Sequence, residues 1–338
     1  MKKIITFAMA IMMTLGLLTG CGSNNKNELP KDLVVYFVPS RDADEIVTAT
    51  EPLKALLKDE LNKQGYEFDD INIEVGTSFE AVGESLTAGT AHVGFIPGGT
   101  YVLYDDGADA VLTATRNGLS KDSENPADWN DCKATEKSEE QVTYYKALAI
   151  AGPSAKGQEL AAKVNSGEEL TTEDMKSAKI GVMSSSSPAG YIYPSLWLNE
   201  KFGLNITDIP NVVQNDSYGS AITRLASGQL DVIFAYADVR SDYENKWTST
   251  SGKSIWEDTN IIGVMDNIYN DTISVSKNVD FIDDDFIKAL QTAFINIAST
   301  DEGKNIISIY QHNGYQVAED ANYDSERNAQ ELVKKTNK

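Results

Sequence analysis

The sequence predicts an α/β fold of two lobes. Two observations carry this expectation. Short apolar runs alternate with amphipathic segments along most of the chain, the pattern of a largely parallel sheet flanked by helices. One passage also echoes another. Leu86-Thr87-Ala88-Gly89-Thr90-Ala91-His92-Val93-Gly94-Phe95 matches Leu225-Ala226-Ser227-Gly228-Gln229-Leu230-Asp231-Val232-Ile233-Phe234 in spacing. Each reads as a helix end, a glycine able to take positive φ, and a buried strand. Two lobes built on one plan produce such an echo.

The elements follow in order. Residues 33–38 form an apolar run before Pro39 and read as a buried strand. Ile46, Ala49, Leu53, Leu56, Leu57 and Leu61 recur at spacings of three and four, which predicts a helix ended by Gly65. Residues 71–75 alternate and predict a second strand. Thr77-Ser78-Phe79-Glu80 reads as a capping box with Thr77 at the cap, opening a short helix to Gly89. Val93-Gly94-Phe95-Ile96 is the next strand. The polar stretch 117–141, with Asn125-Pro126, reads as a long surface loop between lobes. Strands are expected at 144–151 and 179–183, with a capped short helix at 168–175 between them. Ile192, Leu196, Asn199 and Phe202 then share one helix face. Strands at 261–265 and 272–276 precede helices near 284–299 and 302–311. The chain is expected to leave lobe 1 after about Thr115 and to return near Ile262. Lobe 1 is then 31–116 with 262–338, and lobe 2 is 117–261. Two crossings make a hinge, and a cleft between two α/β lobes suits a small ligand.

The first residues carry a separate signal. Lys2 and Lys3 precede an apolar run over 4–18, of signal-peptide length and short for a membrane span. The run ends in Leu18-Thr19-Gly20-Cys21, which resembles the bacterial lipoprotein signal. The resemblance implies removal of 1–20 and a diacylglycerol on the Cys21 thiol, holding the chain on the outer face of a membrane. Gly22 to Pro30 is polar and rich in Gly, Ser and Asn, so 21–30 reads as a lipidated flexible tether.

Composition removes several function classes. With 29 Lys and Arg against 51 Asp and Glu, the net charge is −22, so nucleic acid is not an expected partner. Cys21 and Cys132 are the only cysteines, and a lipidated Cys21 leaves neither a disulfide framework nor a cysteine zinc site. His92 and His312 are the only histidines. No base is evident near any serine cluster, so an enzyme is not expected, and neither a metal nor another cofactor is. A monomer is expected.

Two junctions offer binding chemistry. Met183-Ser184-Ser185-Ser186-Ser187-Pro188-Ala189-Gly190-Tyr191-Ile192-Tyr193-Pro194 follows a buried strand and leads into a helix. Serine hydroxyls, first-turn N–H groups and the positive end of the helix dipole together cradle an anion without formal charge. Pro188 suits a first helical position, whereas Pro194 would sit deep in a helix begun there. The second junction is Phe95-Ile96-Pro97-Gly98-Gly99-Thr100-Tyr101, where Gly99 permits close approach to the main chain and Thr100 supplies a hydroxyl. Both lie at carboxyl ends of strands, where open α/β sheets place ligands. Tyr191 and Tyr218 are candidate cleft aromatics, and Arg116 and Arg224 candidate anion partners.

The strand, the serine-rich turn and Gly190-Tyr191-Ile192-Tyr193-Pro194 resemble the phosphonate/phosphite/phosphate-binding proteins of ABC importers. So does the strand at Asp231-Val232 behind Ser227-Gly228-Gln229. The likeness runs over most of 33–311. It implies a type II periplasmic-binding-protein fold, with a two-strand hinge, an inter-lobe ligand cleft and a membrane permease as partner. It also implies that Ser184, Ser185, Ser186 and Ser187 hold phosphonate oxygens. Phe79 keeps the family's aromatic at the start of the second helix, and Tyr218 stands where a histidine is usual. Asp238 and Asp271 match two carboxylates that face a ligand's ammonium group. The expected ligand is a small oxyanion: phosphonate, phosphite or phosphate. Related binding proteins take sulfonates or thiamine-pathway precursors, which is the alternative.

Overall fold

The structure is a computed structural model that describes residues 29–40, 43–185 and 187–336. The signal segment 1–20, Cys21 and Ser186 lie outside the described residues.

Two sheets organise the chain. The first is 7-stranded, in the order β12-β4-β11-β3-β1-β2 with β5 on β4. Its strands are β1 (Asp32–Phe37), β2 (Asp70–Val75), β3 (Val93–Ile96), β4 (Ala108–Leu119), β5 (Lys137–Val142), β11 (Thr272–Ser276) and β12 (Gly314–Val317). β1 pairs in parallel with β2 and β3, while β11 and β12 run antiparallel to β4. The second sheet is 5-stranded, in the order β10-β6-β9-β7-β8. Its strands are β6 (Tyr144–Ala151), β7 (Ile180–Val182), β8 (Val212–Gln214), β9 (Val232–Tyr236) and β10 (Asn260–Tyr269). The largely parallel arrangement expected holds on one side of each sheet, over β3-β1-β2 and β9-β7-β8. On the other side the pairings are antiparallel, beginning where β11 and β6 enter from the other lobe.

The internal echo has a structural basis. Gly89 (φ 73°) and Gly228 (φ 69°) both end a helix in the left-handed region. The strands they introduce, β3 and β9, lie inside their respective sheets. Each is fully or almost fully buried, as a strand covered on both faces must be. The first lobe's core stacks Phe37 on Phe95 at 4.2 Å and sets Phe294 edge-on to Phe95 at 5.4 Å. In the second lobe, Leu196, Trp197, Phe234 and Ile262 pack one face of the sheet. Trp129, Ile233, Trp247 and Trp256 pack the other.

Three local expectations are corrected. The cap before Phe79 is Ser78 rather than Thr77, and its Oγ accepts from the Ala81 N–H at 3.1 Å, so Glu80 stands one place short of closing a box on Ser78. The stretch 117–141 is a hairpin rather than a loop. β4 continues to Leu119 and pairs antiparallel with β5, and the buried Trp129 anchors the tip in the second lobe's core. β10 pairs with β6 from Asn260 to Tyr269, so a lobe boundary at 262 falls inside a strand of the second sheet. Elements without a sequence expectation include β8, β12, the helices Ala155–Asn165 and Glu244–Ser251, and a C-terminal helix, Asp324–Thr336.

Candidate functional site

The chain passes from the first sheet to the second between β5 and β6, at Thr143, and back between β10 and β11, at Asn270-Asp271. Beside these crossings lies a cleft of about 910 Å³. β4, the Asn270-Asp271 crossing and the turn Tyr310–Asn313 line one side. Tyr145 of β6, the end of the serine run, and the segment after β9 line the other.

The serine turn is built around Ser187. Its Oγ accepts from the Gly190 N–H at 3.2 Å, and its carbonyl accepts from Tyr191 and Ile192 at 3.0 Å each. Pro188–Ile192 form one widened π turn, and an α-helix continues over Tyr193–Phe202. Both prolines fit for a physical reason. Pro188 takes the first helical position, where an N–H would be orphaned anyway. Pro194 cannot donate to the Gly190 carbonyl one turn back, but that carbonyl accepts from the Met183 N–H at 3.1 Å. Ser187 lines the cleft with Pro188 and Ala189, and its Oγ lies 3.1 Å from the Tyr218 hydroxyl. Ser184 and Ser185 are exposed and do not line it. Ser187 is thus the one serine of the run, among the described residues, that the fold brings to the cleft.

Two acids of the cleft each have a basic partner, one across the cleft and one on the same side. Arg116 Nη2, from β4, lies 2.8 Å from Asp238 Oδ2, which follows β9 in the other lobe. The same guanidinium lies 5.2 Å from the Tyr145 ring centroid. Asp238 Oδ1 is buried and has no hydrogen-bond partner among the described residues. Asp271 Oδ2 lies 3.3 Å from His312 Nε2, whose Nδ1 is 3.3 Å from the Tyr315 hydroxyl. A smaller cavity of about 130 Å³ lies behind the Arg116–Asp238 pair and shares Tyr145 with the cleft. Burial pushes the phenols of Tyr145, Tyr218 and Tyr236 above their ordinary range. They therefore face the cleft as neutral hydroxyls.

The remaining sequence candidates lie elsewhere. Gly99 is covered by the C-terminal helix, since a side chain there would meet Glu326 Oε1 at 3.0 Å, and Thr100 beside it is buried and does not line the cleft. Phe79 is half-buried beside Val38 and Val82. Tyr191 packs against the second lobe's core. Arg224 donates to Asn215 at 3.2 Å within its own lobe. His92 accepts from the Val34 N–H at 3.0 Å and is structural. Sequence reasoning missed Tyr310, Gln311, His312 and Asn313 as cleft residues. Gln311, with φ 60°, turns this segment inward, and an ordinary glutamine gives no sign of that. Among the described residues no group of three His, Cys, Asp or Glu could hold a metal, and no helix is long and apolar enough to cross a membrane. Serine and tyrosine hydroxyls, one buried carboxylate oxygen without a partner among the described residues and four tyrosine rings give this cleft the lining of a small-ligand site.

Comparison with known proteins agrees with this geometry. No curated protein matched the chain significantly. Among solved structures, the Mycoplasma hyorhinis protein Mh-p37 is 14% identical, with a TM-score of 0.60 over 92% of this chain and 100% of its own. A Xanthomonas citri protein bound to ATP is 11% identical, with a TM-score of 0.59 over 91% and 98%. A binding-protein component of an ABC phosphonate transporter from Pseudomonas aeruginosa is 15% identical, with a TM-score of 0.51 over 91% and 88%. These likenesses show the two-lobed type II fold. The family model described as ABC transporter, phosphonate, periplasmic substrate-binding protein matches residues 35–323. The family is a transport component that binds substrate and is not an enzyme. The chain belongs to the phosphonate-type periplasmic substrate-binding proteins of ABC transporters.

Proposed function

We propose that this binding protein closes its lobes on a small phosphorus oxyanion, preferring a phosphonate that carries an amino group, and presents the closed form to a membrane permease. One observation carries the reading. Ser187, at the start of a helix, faces the same cleft as two acids from opposite lobes, Asp238 and Asp271. The helix start suits the phosphonate oxygens. Asp238 Oδ1 is buried with no donor among the described residues, so it suits the ammonium end. Phosphate or phosphite would leave that oxygen unanswered. Tyr218 orients Ser187, and Arg116 holds Asp238 in place.

A melting-shift screen tests the ligand class with phosphate, phosphite, methylphosphonate, 2-aminoethylphosphonate, aliphatic sulfonates and thiamine. At a hundredfold excess over Kd the bound form is stabilised by about 2.7 kcal/mol. The largest shift is expected with 2-aminoethylphosphonate. Silence from every phosphorus compound would remove the assignment. A larger organic ligand is the second reading. It is supported by a cleft of about 910 Å³ with Tyr145, Tyr218, Tyr236 and Tyr310 on its walls. The Mycoplasma protein of similar fold is described as a candidate thiamine pyrophosphate transporter. A response to thiamine alone would favour that reading.

We further propose that Cys21 anchors the chain through lipid on the outer face of the membrane, as its setting in Leu18-Thr19-Gly20-Cys21 supports. In cells, Cys21→Ser is expected to abolish lipid labelling and to shift the chain out of the processed, lipidated membrane pool. Unchanged lipid labelling of the variant would contradict the anchor.

A further inference from the structure

The family match ends at residue 323, and the C-terminal helix Asp324–Thr336 lies beyond it. Its approach is moored to the first lobe. Tyr323 is 1% exposed, its hydroxyl lies 2.9 Å from Thr113 Oγ1 on β4, and its ring sits edge-on to Tyr101 at 5.3 Å. Arg327 adds a bond from Nε to Asp105 Oδ2 at 2.8 Å, at the end of the helix Gly98–Tyr104. The other face of the same helix belongs to the second lobe. Ala329 is fully buried in the core that holds Tyr193, Leu196 and Ile268.

Glu326 sits between the two moorings. It is 3% exposed, and it accepts from Gln330 Nε2 at 3.0 Å and from the Tyr193 hydroxyl. Its Oε1 also occupies the space a side chain on Gly99 would need. One carboxyl group therefore lies between a glycine of the first lobe and a tyrosine of the second. Tyr193 directly follows the π turn that carries Ser187 to the cleft, and the C-terminal helix packs on that turn as well. Two covalent crossings alone allow the lobes to swing about them. This helix is a further, non-covalent connection, beside the β4–β5 hairpin tip and the Arg116–Asp238 pair, and a swing has to strain or break it.

We propose that the C-terminal helix is a strap joining the lobes, and that Glu326 is the positioning residue that fastens it, through Tyr193, to the ligand-side turn. Burial raises the Glu326 carboxyl above its ordinary range, so a neutral glutamine at this place keeps the fastening. The strap acts on lobe position with or without ligand, so it is independent of which ligand the cleft takes.

The test uses the ligand-free protein with Glu326→Ala, Glu326→Gln and Arg327→Ala. Amide hydrogen exchange and small-angle scattering are measured together. Glu326→Ala and Arg327→Ala are expected to speed exchange at residues 189–192 by about tenfold or more and to enlarge the radius of gyration. Glu326→Gln is expected to match the wild type, and β3 and β9 are expected to keep full protection in all three. Arg327 is only 25% exposed yet lies at the rim, so Arg327→Ala carries the test if Glu326→Ala does not fold. Unchanged exchange in the turn, or equal loosening of β3 and β9, overturns the proposal. Because no ligand is added, either result leaves the ligand assignment to its own screen.

Discussion

Gly190→Ala is expected to weaken ligand binding about a hundredfold while leaving the chain folded. The φ of Gly190 is not in the left-handed region, so the backbone itself accepts alanine. The effect is steric. A Cβ at this position would lie 2.6 Å from Met183 Cβ and 3.0 Å from Ser187 Oγ. Rotating a side-chain end does not relieve the first contact, because Met183 is tied by its own N–H to the Gly190 carbonyl at 3.1 Å. The turn must shift as a unit, at a cost of about 1–3 kcal/mol. The shift moves Ser187 and removes its bond from the Gly190 N–H. Calorimetric titration with 2-aminoethylphosphonate should show at least a roughly hundredfold loss, the size expected when a hydrogen bond to a charged ligand is lost. Denaturant unfolding should show the smaller stability loss. Wild-type affinity in Gly190→Ala would mean that this turn does not hold the ligand.

Asp238→Asn is expected to remove the preference for an amino group. The substitution keeps shape and removes charge. Affinity for 2-aminoethylphosphonate should fall about ten- to a hundredfold, because Oδ1 no longer offers a charged acceptor. Affinity for ethylphosphonate should hold or rise, since Arg116 is released from its 2.8 Å pair and turns toward the anion. Stability should fall modestly. Breaking a fully buried pair costs about 3–5 kcal/mol, but the Arg116 side chain is 30% exposed and solvent screens it, so about 1 kcal/mol is expected here. Equal losses for both ligands would contradict an ammonium subsite at Asp238.

The parts of this molecule legible in the sequence are those set by local pattern. β3 and β9 read correctly because each is a short apolar run behind a helix-ending glycine, a signal contained in about ten residues. Ser187 was legible as a member of the run, but its selection over Ser184 and Ser185 was not. That depends on the π turn, which sets the helix start so that Ser187 becomes its cap. The Gly98-Gly99-Thr100 turn has the local marks of a ligand loop. It is closed by Glu326, more than two hundred residues further on, and no local pattern reports so distant a cover. The hairpin of β4 and β5 reads as a loop in the sequence because β5, KSEEQV, is polar and mostly exposed. A strand at a sheet's edge with little buried surface has no apolar period to show. The His312–Asp271 pair joins a turn after a helix to an inter-lobe crossing, a meeting made by topology alone.

The most direct measurement is a crystal structure of the chain grown with 2-aminoethylphosphonate. The phosphonate oxygens are expected within hydrogen-bond reach of Ser187 Oγ, between the two lobes, with the ammonium on the Asp238 and Asp271 side. Ligand found outside the inter-lobe cleft, or bound with its ammonium turned toward Ser187, would contradict this account.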